Sequence, residues 1–80
     1  MMINLEIPEI KNGKVNFSKL ELDLGKFLCN DPQNTCVNLV GNNKKTLIDL
    51  RNNLYSSFDY KILKVGKRGN NYLIKVGAKI

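Results

Sequence analysis

The chain has no histidine and no tryptophan. Without histidine there is no Ser-His or Cys-His pair to activate a nucleophile. Acids are scarce, seven in 80 residues. Glu21 and Asp23, two positions apart, do not face each other on a helix, though on a strand they would share a face. No couple suited to general acid/base work emerges, so a non-enzyme is expected. Cysteine is limited to Cys29 and Cys36, seven positions apart. A structural zinc needs four Cys or His ligands and usually begins with a C-x2-C pair, so neither metal nor other cofactor is expected. The two thiols read as small buried side chains, since no secretory signal supports a disulfide. No apolar run approaches the roughly 18 residues of a membrane span, and no stretch resembles a signal peptide. The expected location is the cytoplasm, with no membrane partner.

What is present is ordinary for a folded domain: 42% hydrophobic and 25% charged residues. Residues 1–80 make one domain, near the small end of what a single core supports. The charge is not evenly spread. Thirteen basic and seven acidic residues give +6. Residues 1–40 carry four lysines against five acids, whereas residues 41–80 carry nine basic residues against two acids. Such asymmetry is the footprint of an anion binder.

Most of that charge lies in residues 60–80, where no acid follows Asp59. Valine, isoleucine and leucine alternate with lysine on both sides of Gly69-Asn70, a two-residue hairpin turn. The turn implies a register: Arg68 opposite Asn71, Lys67 opposite Tyr72, Val65 opposite Ile74, Lys64 opposite Lys75, and Leu63 opposite Val76. Side chains alternate across a strand. One face should therefore bury Leu63, Val65, Ile74 and Val76. The other should present Tyr60, Lys64, Arg68, Lys75 and Lys79. Lysines directly opposed destabilise a sheet unless water or an anion covers them.

Upstream, Ile3, Leu5 and Ile7 alternate with polar residues as a first strand, limited by Pro8. Asn12-Gly13 would close a short hairpin between Ile10 and Val15. Residues 18–29 carry two patterns. Leu20, Leu22 and Leu24 alternate as in a strand, yet Phe17, Leu20, Leu24, Phe27 and Leu28 fall at helical spacing. Ser18 with Glu21 forms a capping box, and Phe17 against Leu22 forms the staple that accompanies it. A helix is the expectation, with Gly25 costing it about 1 kcal/mol. Thr35 to Val40 reads as an interior strand. A second helix follows, with Thr46 and Asp49 as its capping signal and Leu47, Leu50, Leu54 and Phe58 as its stripe.

The order is β-α-β-α-β-β. Eighty residues cannot cover both faces of a sheet. The expected class is α+β, a two-layer sandwich with two helices on one face of a four-stranded mixed sheet and the other face open. The expected core is Ile3, Leu5, Leu20, Leu24, Leu28, Val37, Leu39, Leu47, Leu50, Leu54, Phe58, Leu63, Val65, Ile74 and Val76.

Gly41-Asn42-Asn43-Lys44-Lys45 is a strand-to-helix turn, where free N–H groups and the helix dipole favour an anion. It lacks the second glycine and the Lys-Ser/Thr pair of a Walker loop. Lys44 and Lys45 are phosphate candidates there, beside Tyr60, Lys64, Lys67, Arg68, Lys75 and Lys79 of the hairpin. Tyr60 is the one aromatic on the basic face, thinner than a single-strand stacking platform. Duplex backbone binding with little sequence preference fits better.

Gly13-Lys14-Val15-Asn16, Val40-Gly41-Asn42-Asn43-Lys44-Lys45 and Lys64-Val65-Gly66, in this order of elements, resemble the Alba family of small basic nucleic-acid-binding proteins. The likeness implies a dimer that binds DNA or RNA. It casts Lys14 as a loop contact and Lys67 and Arg68 as hairpin contacts. Residues 47–54, with Asp59-Tyr60-Lys61-Ile62-Leu63 and Tyr72-Leu73-Ile74-Lys75, are similar to the second half of the SirA-like sulfur carriers. Those carry Cys-Pro-x-Pro where this chain reads Val15-Asn16-Phe17-Ser18, so their chemistry does not transfer. The expected function is a nucleic-acid-binding module. The second reading is an interaction module or inhibitor that docks its basic face on an acidic protein. Cys29, Tyr55 and the helix flanks are the surfaces open to a homodimer.

Overall fold

The structure, a computed structural model, describes residues 2–11, 13–57 and 59–79. The elements follow the expected order: β1 (Met2–Glu6), α1 (Phe17–Leu28), β2 (Cys36–Gly41), α2 (Lys44–Tyr55), β3 (Tyr60–Arg68) and β4 (Asn71–Ala78). The strands form one mixed sheet in the order β1-β2-β4-β3. β1 runs parallel to β2, and β4 runs antiparallel to both β2 and β3. Both helices pack on one face, which makes the α+β sandwich with its other sheet face uncovered. Among the described residues no helix is long and apolar enough to cross a membrane.

The core forms where the helical stripes meet the inward residues of the central strands. Leu20, Leu24 and Leu28 of α1 and Leu47, Leu50 and Leu54 of α2 are buried with Val37, Leu39, Ile74 and Val76. Ile3 and Leu5 are partly buried against this cluster. Ile7 and Val15, outside the expected core, belong to it. Phe58 lies outside the described residues.

The helical pattern wins in residues 17–28, because it buries three leucines and leaves Leu22 facing water at 75% exposure. The caps differ from the expected ones. Asn16, not Ser18, caps α1 by accepting from the Lys19 N–H at 3.3 Å. With Asn16 as cap, Val15 and Leu20 hold the staple positions and both are buried. Asn43 caps α2 by accepting from the Lys45 N–H at 2.9 Å. Thr46 and Asp49 are then free for longer contacts. The Thr46 hydroxyl donates to Glu9 Oε1 at 2.6 Å, and Asp49 Oδ2 accepts from the Val15 N–H at 3.2 Å. These bonds fasten the small 9–15 hairpin to α2. Gly13 makes the approach feasible. Its φ is +80°, and a Cβ there would lie 2.7 Å from that of Lys45.

The C-terminal hairpin follows the expected register from Arg68–Asn71 down to Lys64–Lys75, and Gly69 takes a positive φ of 63°. Below that pair the expectation fails. A β-bulge at Leu63 lets Ile62, not Leu63, face Val76, and sets Tyr60 opposite Ala78. The cause is a conflict of phase in β3. Val65 and Leu63 belong to one alternation, Ile62 and Tyr60 to the other. A one-residue slip exchanges faces, and one extra residue accommodates both phases. Ile62 and Tyr60 turn toward the helices and pack on the core. Leu63 turns outward, 49% exposed, with its Cδ1 3.0 Å from where a Gly77 Cβ would stand. Val65 keeps the inward phase but remains 40% exposed near the hairpin tip.

Candidate nucleic-acid interface

The register of the four strands arranges the open face in rows. Residues paired across neighbouring strands share a face. Asn4 pairs with Asn38, Asn38 with Lys75, and Lys75 with Lys64. Below this row lie Met2, Cys36, Gly77 and Lys61. Above it lie Glu6, Val40, Leu73 and Gly66, and then Asn71 with Arg68 at the tip. The face is thus lysine, arginine and asparagine among short apolar patches, with Glu6 at its β1 edge.

Lys64 and Lys75 stand directly opposed, as expected. Among the described residues the one ion pair is Lys19–Asp23, 3.1 Å, on α1. The hairpin cations therefore have no carboxylate partner among the described residues. Lys61 joins them on the open face. Sequence reading missed it because only the bulge puts it in phase with Lys75.

Tyr60 does not lie on this face. It packs on the helix side, where its hydroxyl is 3.9 Å from the position a Gly25 Cβ would take. Burial pushes its phenol above the ordinary range, and Asp59, Glu21 and Cys29 add to the push. Tyr72 is also on the helix side, with the Lys67 ammonium 5.3 Å from its ring centre. Among the described residues, no aromatic side chain faces the open side of the sheet. Lys79 is not a free member of the face either. Its Nζ donates to the Ser57 carbonyl at 3.2 Å and its N–H to the Asp59 carbonyl at 2.8 Å, bracing the turn between α2 and β3.

The second cluster lies at the end of the sandwich. Gly41 pairs with Tyr72, so the end of β2, the start of α2 and the hairpin tip share one end. The close approach of Gly13 to Lys45 brings Lys14 and Lys11 there too. Lys14, Lys44 and Lys45 thus gather with Lys67 and Arg68 at one end, and Lys11 is an addition. The helix start itself is occupied from within the chain. The Glu9 carboxylate accepts from Thr46 and from Asn43 Nδ2 (3.3 Å), where an anion was expected to sit. The helix dipole is satisfied by that carboxylate, which leaves Lys44 and Lys45 as exposed side chains beside it.

Among the described residues no three metal-ligating side chains come together. The chain matches no family model, no curated protein and no solved structure.

Proposed function

We propose that this chain is a non-enzymatic nucleic-acid-binding module that holds phosphates on the open sheet face and at the tip of its β3–β4 hairpin. The observation that carries the reading is the Lys64–Lys75 pair, opposed across β3 and β4 on an uncovered face with no described carboxylate partner. A protein spends stability to hold two ammonium groups side by side. A bound polyanion turns that cost into affinity. Lys61 and Arg68 extend the pair along β3, and Lys14, Lys44, Lys45 and Lys67 border it at one end. The sheet's two tyrosines, Tyr60 and Tyr72, turn to the helix side, which argues against base stacking on the open face and for contact with a duplex backbone.

Fluorescence-polarisation titration of a short duplex at two salt concentrations tests the proposal. About four phosphate contacts imply a log–log salt slope of about −3.6, or an affinity roughly 150-fold weaker at 200 mM than at 50 mM salt. Equal affinity at the two concentrations overturns it. The second reading, docking on an acidic protein, draws on exposed Leu63 and Met2 among the lysines, an apolar share that phosphates do not use.

A further inference from the structure

The row Asn4–Asn38–Lys75–Lys64 crosses all four strands of the open face. Its two halves differ in chemistry. The lysines supply charge without acceptors, whereas the asparagines supply neutral groups that both donate and accept. Asn38 is buried to 6% exposure, and its Nδ2 donates to Asn4 Oδ1 at 3.1 Å. That bond fixes the orientation of both amides. Asn4 stays exposed, with its own NH2 group uncommitted by this bond.

We infer that this row selects duplex RNA over duplex DNA, the lysines holding a phosphate and the exposed Asn4 amide, oriented by buried Asn38, meeting a ribose 2′-hydroxyl beside it. The inference rests on the nucleic-acid reading above and adds the polymer. Width decides between the two. Neighbouring strands lie about 4.8 Å apart, so the row is about 14 Å long between its outer strands. The major groove of B-DNA, about 12 Å wide, admits a helix or a two-stranded ribbon, and its minor groove is about 6 Å wide. A four-stranded face enters neither, so DNA meets only the hairpin tip. The minor groove of A-form RNA is wide and shallow and displays the 2′-hydroxyls. A flat face can lie over it. The uncommitted Asn4 NH2 group donates to the 2′-hydroxyl oxygen, and deoxyribose has no such acceptor.

The test compares three duplexes of one sequence: RNA, DNA, and RNA carrying 2′-O-methyl groups, which retain A-form geometry but whose methyl groups bar the close approach of the Asn4 NH2 group to the 2′-oxygen. Wild-type protein should bind RNA about tenfold more tightly than either of the others. An Asn4→Val/Asn38→Val variant replaces both partners of one hydrogen bond with apolar groups of similar bulk, the substitution least costly to the fold. It should bind RNA about tenfold more weakly and DNA unchanged, so that its RNA preference disappears. Should that variant melt before binding is measured, the 2′-O-methyl comparison on wild-type protein decides alone. Equal wild-type affinity for the three duplexes overturns the inference and leaves the nucleic-acid reading standing. Absence of binding to all three overturns both.

Discussion

A Lys64→Glu/Lys75→Glu double variant should fold as the parent does and bind a nucleic-acid duplex at least about 100-fold more weakly at low salt. The two halves of this expectation come from one geometry. The side chains face each other across the β3–β4 ladder. Reversing both exchanges one like-charged pair for another, so the repulsion within the sheet is about the same. The face, however, changes from attracting phosphates to repelling them. The single variant separates the effects further. Lys64→Glu alone creates an opposite-charge cross-strand pair, worth about 0.2–1 kcal/mol. It should raise the urea midpoint while lowering affinity. A residue whose reversal stabilises the fold and weakens binding is retained for binding.

Leu50→Ala should cost about 3 kcal/mol, read as a lower urea midpoint with unchanged slope. Leu50 is fully buried in the middle of α2, within the core cluster. Removing its side chain loses the transfer energy of three carbons and leaves a cavity that the packed neighbours fill only in part. A domain of 80 residues has a total stability of about 4–12 kcal/mol, so the loss is a large share. Leu22→Ala is the matched control. Leu22 is 75% exposed on α1, and its truncation should stay within about 0.5 kcal/mol. The pair also distinguishes the two patterns in residues 18–29. A strand there would place Leu22 beside Leu20 and Leu24, and its truncation would then be costly.

The parts of the fold legible in the sequence are those governed by near neighbours. Gly69-Asn70 dictates the turn, and the turn dictates the pairs from Arg68–Asn71 to Lys64–Lys75. Leucines at helical spacing place α1 and α2 because burial follows the 3.6-residue period. The parts that escaped depend on distant partners. Tyr60 and Ile62 in one phase, and Leu63 and Val65 in the other, leave the position of the bulge open until the helices claim Tyr60 and Gly77 makes room for Leu63. That single residue moved Tyr60 off the basic face and Lys61 onto it. The caps escaped in the same way. Asn16 and Ser18, or Asn43 and Thr46, cap equally well on local grounds. Glu9, 37 positions from Thr46, decides the second case by taking the Thr46 hydroxyl. The same carboxylate sets a negative charge beside the helix start, where the local sequence favours phosphate.

On the proposed reading, the open sheet face and the hairpin tip receive the ligand while the helices face away. Backbone amide chemical shifts of the isotope-labelled protein, followed as a short RNA duplex is added, test it most directly. Shifts should move in β4 from Asn71 to Lys75, in β3 from Lys61 to Arg68, and in β2 around Asn38, while the exposed side of α1 from Ser18 to Lys26 stays still. Movement centred on α1, or none anywhere at saturating duplex, would contradict it.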